Sequence, residues 1–180
     1  MMDHWCLVGS MSSSYTSVYE YLTNFFIDWH AGKDNTSTLN VCRDIINNKE
    51  LSSIDVQSLN PTEQTLDIMY EHICKELFRY QYKSEYVITL LAFSIQLERQ
   101  LESKNWYTTE RLVETLTKQL LKTDFDPTSM DNSKFHYSSY LMNIPALFLS
   151  YFIQRWDINE RCRHNYQSSN KLPTIFEARQ

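Results

Sequence analysis

An all-helical domain is the fold class that this sequence predicts, on three observations. Glycine and proline are scarce, two and four in 180 residues, which is too few for the many tight turns of a sandwich or barrel. Apolar residues recur at helical spacing in one segment after another. The stretch from Val87 to Ile95, inside "KSEYVITLLAFSIQLERQL", is apolar on nearly every side, as a helix wrapped by other helices must be. With 42% hydrophobic residues, a chain of this length can bury one ordinary core.

Each helix carries its own signals. A serine-rich lead-in, Ser10 to Ser17, is placed to cap a first helix from about Val18 to His30, in which Val18, Leu22, Phe25, Phe26 and Trp29 form an apolar face. Gly32 in "AGKDNTST" is a stop signal, and Thr36, Ser37 or Thr38 can cap the second helix, "STLNVCRDIINNKEL", with Leu39, Cys42, Ile45 and Ile46 on its stripe. "SSIDVQSLNPT" reads as one short turn before a break at Pro61. Thr62 or Glu63 then opens a third helix through Leu66, Met69, Ile73 and Leu77. The central helix is expected from Ser84 to about Ser103. "NWYTTERLVETLTKQLLKT" follows, with Leu112, Leu116, Leu120 and Leu121 as its buried face and Pro127 as its breaker. Two short helices, "KFHYSSYLMN" and "ALFLSYFIQRW", are expected to close a domain spanning 1–157, with 158–180 as a polar tail.

Several function classes are disfavoured. A net charge of -5, with both signs mixed along the chain, offers no footprint for a phosphate backbone, so no nucleic-acid partner is expected. The amino terminus lacks a basic segment followed by a long apolar one, which points to a cytoplasmic protein. Cysteines 6, 42, 74 and 162 form no CxxC pair and suit reduced thiols; the acceptor pattern Asn35-Thr36-Ser37 carries little weight in that compartment. His72 has no second histidine at metalloprotease spacing, and Cys162 with His164 lacks two further ligands. No Gly-rich phosphate loop or Gly-x-Ser-x-Gly elbow occurs. Neither enzyme activity nor a cofactor or metal is expected. The central apolar run falls short of the roughly 20 residues that cross a bilayer. "ALFLSYFI" is about half that length and ends at Gln154, Arg155 and Asp157, so no integral membrane anchor is expected.

Local sequence adds a resemblance. "ELFR", Glu76 to Arg79, precedes the apolar "VITLLAF" as ELFRDGVNWGR precedes runs such as IVALFAF in the first homology motif of the Bcl-2 family; Leu90, Ala92 and Phe93 match as well. In the same register "MDNSKFHYSSYLMN" falls where the second motif has segments such as QDNGGWDAFVELYG, matching Asp131 and Asn132, with Phe135 for the tryptophan. "LNVCRD" places Leu39 and Asp44 in the relation of the third motif, Leu-x-x-x-small-Asp. The resemblance covers about residues 18 to 144. It implies a Bcl-2-like bundle around a hydrophobic central helix, acting as an apoptosis regulator that binds BH3 helices of pro-apoptotic proteins of the Bax, Bak and BH3-only type.

Departures sharpen that expectation. Asn-Trp-Gly-Arg is replaced by Lys83-Ser84-Glu85-Tyr86, so a tyrosine stands where the family's arginine pairs with an aspartate of the bound helix. Both glycines of the second motif are missing. Arg43 fills the small position of the third motif, which makes a poor BH3 donor and favours a pro-survival role; such changes resemble divergent viral or invertebrate members. The resemblance implies a groove lined by Ile45, Leu51 and Ile54, by Met69, Ile73, Glu76 and Leu77, and by Tyr86, Ile88, Thr89 and Phe93, although such residues suit a packed core equally well. Lys83, three positions before Tyr86 and so on its face, is a candidate replacement partner for the ligand carboxylate, as is the Tyr86 hydroxyl. A Bcl-2-fold adaptor that blocks innate immune signalling without BH3 binding is the alternative. Homodimerisation stays open, and any association with mitochondria is expected to run through partners.

Overall fold

The computed structural model of the chain describes residues 6–47, 59–79 and 83–132, and every regular element of more than one residue among them is a helix. The order is α1 (Cys6–His30), α2 (Ser37–Asn47), α3 (Glu63–Leu77), α4 (Ser84–Leu101), α5 (Thr109–Leu120) and α6 (Pro127–Asn132). α1 packs on α5, α2 on α4 and α3 on α5, while α6 touches both α1 and α2. Leu51, Ile54, the short turn after α2, both expected closing helices and the tail 158–180 lie outside the described residues.

The termini of these helices show why the chain breaks where it does. α1 ends in a left-handed Gly32, φ +68°. The Gly32 N–H donates to the Trp29 carbonyl and the Lys33 N–H to the Asp28 carbonyl, both at 3.0 Å. That is the Schellman pattern, in which a glycine lets the chain reverse and satisfies carbonyls left over by the last turn. An ion pair of 2.7 Å between Lys33 Nζ and Asp28 Oδ1 joins the residues where an apolar contact often sits. Of the three candidate caps for α2, Thr36 is the one used, its Oγ1 accepting from the Leu39 N–H at 3.3 Å. Thr62 caps α3 reciprocally with Thr65: the Thr65 N–H donates to Thr62 Oγ1 at 3.3 Å and the Thr62 N–H to Thr65 Oγ1 at 2.8 Å. Thr108 Oγ1 accepts from the Arg111 N–H at 3.0 Å to cap α5. Each such cap stabilises its helix by about 1 kcal/mol.

Three sequence expectations need correction. α1 begins at Cys6, not at Val18, so the serine-rich lead-in is helical and caps nothing. Ser13 to Ser17 are nevertheless all exposed, and Val18 is the first residue of the buried face that follows them. Leu121 does not belong to the buried face of α5: it follows the last helical residue, Leu120, and is 38% exposed. Pro127 does not end α5. The chain has already turned at 121–124, and Pro127 opens α6, where a missing N–H costs nothing. Asp126 Oδ1 accepts from the Thr128 N–H at 2.9 Å to cap that turn.

The core sits around α4. All nine residues from Val87 to Ile95 are buried. At 100° per residue that run covers every azimuth of the helix, so α4 is wrapped on all sides for two and a half turns, as the apolar run predicts. Leu66, Met69, Tyr70 and Ile73 of α3 and Leu112, Leu116 and Leu120 of α5 are completely buried in the same cluster. Several polar residues inside it are hydrogen-bonded, although Thr38 Oγ1 is buried without a partner. The Tyr70 hydroxyl donates to Ser94 Oγ at 2.8 Å, and Ser94 Oγ donates to the Leu90 carbonyl at 2.7 Å. Between α3 and α5, Asp67 accepts from Arg111 Nη2 at 3.0 Å and from Thr115 Oγ1 at 2.5 Å. Cys42 lies on α2 and Cys74 on α3. Both are buried free thiols; burial pushes Cys74 up to about 12 and Cys42 higher still, which keeps them protonated and unreactive.

Candidate functional site

Of the residues that the resemblance assigns to a groove, those described lie on α2, α3 and the first half of α4. Their side chains are mostly sequestered. Ile45, Met69, Ile73, Leu77, Ile88, Thr89 and Phe93 are 0–6% exposed and lie among the core residues. Thr89 Oγ1 donates to the Glu85 carbonyl at 2.9 Å, one turn back in its own helix. The Phe93 ring packs edge-on against Tyr70, centroids 6.0 Å apart. Behind them the Cys42 thiol of α2 reaches the Ile88 carbonyl at 3.7 Å.

A rim remains accessible, and it is built from the residues that precede and open α4. Lys83 holds the N-cap position in an extended conformation, φ -142°, and supplies no side-chain cap. Its ammonium instead lies over the Tyr86 ring, 5.8 Å from the centroid, within range of a cation–π attraction. The same ring faces Phe78 from the end of α3, centroids 6.3 Å apart. Glu76 and Arg79 form an exposed ion pair at 3.5 Å beside it. Lys83 and Tyr86 thus share a face, as their spacing predicts, and both are half-buried. The collar can offer a partner one cation, a tyrosine hydroxyl and two aromatic faces.

The opposite end of α4 holds a polar cluster that sequence reasoning missed. Glu98 is 2% exposed, yet its carboxylate accepts from the Tyr107 hydroxyl at 2.6 Å and from Thr109 Oγ1 at 2.8 Å on Oε1, and Oε2 lies 3.0 Å from His30 Nε2. Buried carboxylates are tolerated only when paired and hydrogen-bonded in this way. Burial and the hydrogen bond to Glu98 raise the Tyr107 hydroxyl above the ordinary tyrosine range, so it stays a donor. The signal was available in "LAFSIQLERQL": Glu98 falls seven residues after Leu91 and three before Leu101, inside the apolar stripe. Close to this end, Asn60, Pro61, Gln100, Leu101, Ser103 and Lys104 line a shallow hollow, closed on one side by Lys104 Nζ donating to Asn60 Oδ1 at 2.7 Å.

No helix among the described residues is long and apolar enough to cross a membrane. No family model, curated protein or solved structure matches the chain.

Proposed function

We propose that this chain is a Bcl-2-like regulator of apoptosis, of the pro-survival kind, that sequesters BH3 helices of pro-apoptotic proteins at the α2–α3–α4 junction. One observation carries the reading: a fully wrapped central helix is preceded by "ELFR" and by a half-exposed collar of Phe78, Lys83 and Tyr86, in the order of the family's first motif. Such a site performs no chemistry; it receives the apolar face of an amphipathic helix, read as anchors at i, i+3 or i+4 and i+7. The Lys83 ammonium takes the part of the missing arginine toward the ligand's aspartate. Calorimetric titration of the full chain with a panel of BH3 peptides tests this. Submicromolar binding of at least one peptide, weakened when its aspartate becomes alanine, is the expected result, and silence across the panel overturns it.

A second reading draws on the burial of the seven groove residues, which leaves only the rim for a partner. In that reading the chain is a Bcl-2-fold adaptor that acts on innate immune signalling through an outer helical face. It expects no BH3 binding, and the same panel separates the two.

A further inference from the structure

We propose that the first turn of α4, Ser84–Val87, is a built-in weak point that opens and recloses while the rest of the bundle stays folded. Three helix starts can be compared. At α3 and α5 a threonine hydroxyl accepts from the N–H three residues on, Thr65 and Arg111 respectively. At α4 the equivalent N–H, that of Tyr86, donates to the Lys83 carbonyl at 3.0 Å, as the Thr65 N–H also does to the Thr62 carbonyl at 3.1 Å, but the Lys83 side chain adds no second acceptor. Lysine is also the wrong charge for this position, because the amino end of a helix carries partial positive charge. Glu85 in the first turn offsets part of that. Exposure follows the same boundary: Lys83 to Tyr86 are half-buried, and from Val87 onward the helix is buried without interruption for nine residues. The best-packed helix of the bundle therefore begins with its least secured turn. Its opening would loosen the collar that Lys83 and Tyr86 form just before the buried run from Val87 onward. This property belongs to the free chain and holds whether or not a BH3 helix binds.

Amide hydrogen exchange of the full chain by NMR, corrected for intrinsic rates, tests it without any partner. In the unaltered protein the Tyr86 amide should exchange faster than those of Thr65 and Arg111. Lys83→Asp supplies a capping acceptor and should slow Tyr86 by roughly fivefold or more, leaving Leu97 and Leu116 unchanged. Thr62→Ala, which removes the α3 cap, should speed Thr65 by a similar factor and shows that the measurement reads caps. Protection of Tyr86 equal to that of Thr65 and Arg111 would overturn the inference. So would a Lys83→Asp protein with unchanged Tyr86 exchange in which Thr62→Ala does speed Thr65.

Discussion

The two ends of the central helix are held in opposite ways. At its carboxyl end the buried Glu98 gathers a hydroxyl from Tyr107, a hydroxyl from Thr109 and an imidazole from His30, tying α1, α4 and the start of α5 into one knot. At its amino end Lys83 caps nothing, and the contacts it makes with Tyr86 and through it Phe78 are ring contacts at 5.8 and 6.3 Å. A hydrogen-bonded buried charge is directional and costly to break, whereas aromatic and cation–π contacts at a half-exposed site are worth about 0.5–1 kcal/mol and tolerate displacement. A helix built in this way is anchored at one end and adaptable at the other.

Breaking the shared middle should hurt most. Phe93→Ala removes a ring that is 3% exposed and packed on Tyr70, and should cost about 3–5 kcal/mol in chemical denaturation. Glu98→Ala comes next, at about 3 kcal/mol, because it strands the Tyr107 and Thr109 hydroxyls; Glu98→Gln, which keeps an acceptor oxygen, should lose distinctly less, and equal losses would show that the knot contributes only packing. Thr62→Ala should cost about 1 kcal/mol through the α3 cap. Lys83→Ala at the loose end should shift stability by less than about 0.5 kcal/mol. A loss there as large as that of Glu98→Ala would erase the contrast between the two ends.

Much of this was legible in the sequence because it rests on short-range signals. The wrapped α4, the Gly32 stop, the Thr62 start and the stripe Leu66, Met69, Ile73, Leu77 follow from spacing and capping chemistry that act within one or two turns. What escaped has longer reach. Glu98 stands visibly inside the apolar stripe, but its partners are distant in sequence: the 101–109 segment brings Tyr107 and Thr109 back onto it, and His30 reaches it across 68 positions. The extent of α1 was misjudged because the turn before Val18, Ser13 to Ser17, is helical yet exposed, and Leu121 because a continuing period was read past the last helical residue. For the site, sequence placed Lys83 and Tyr86 on one face correctly, but it had no means of telling that Ile45, Met69, Ile73, Leu77, Ile88, Thr89 and Phe93 are sequestered, since an apolar side chain suits a groove wall and a core alike.

The most direct measurement is amide exchange of the full chain with and without the tightest-binding BH3 peptide. Slowed exchange at Phe78 and Lys83 to Val87, with the segment around Glu98 and Tyr107 unchanged, is the expected footprint of a helix received at the adaptable end. Protection confined to the Asn60, Gln100 and Lys104 hollow, or no protection anywhere in the described helices, would contradict it.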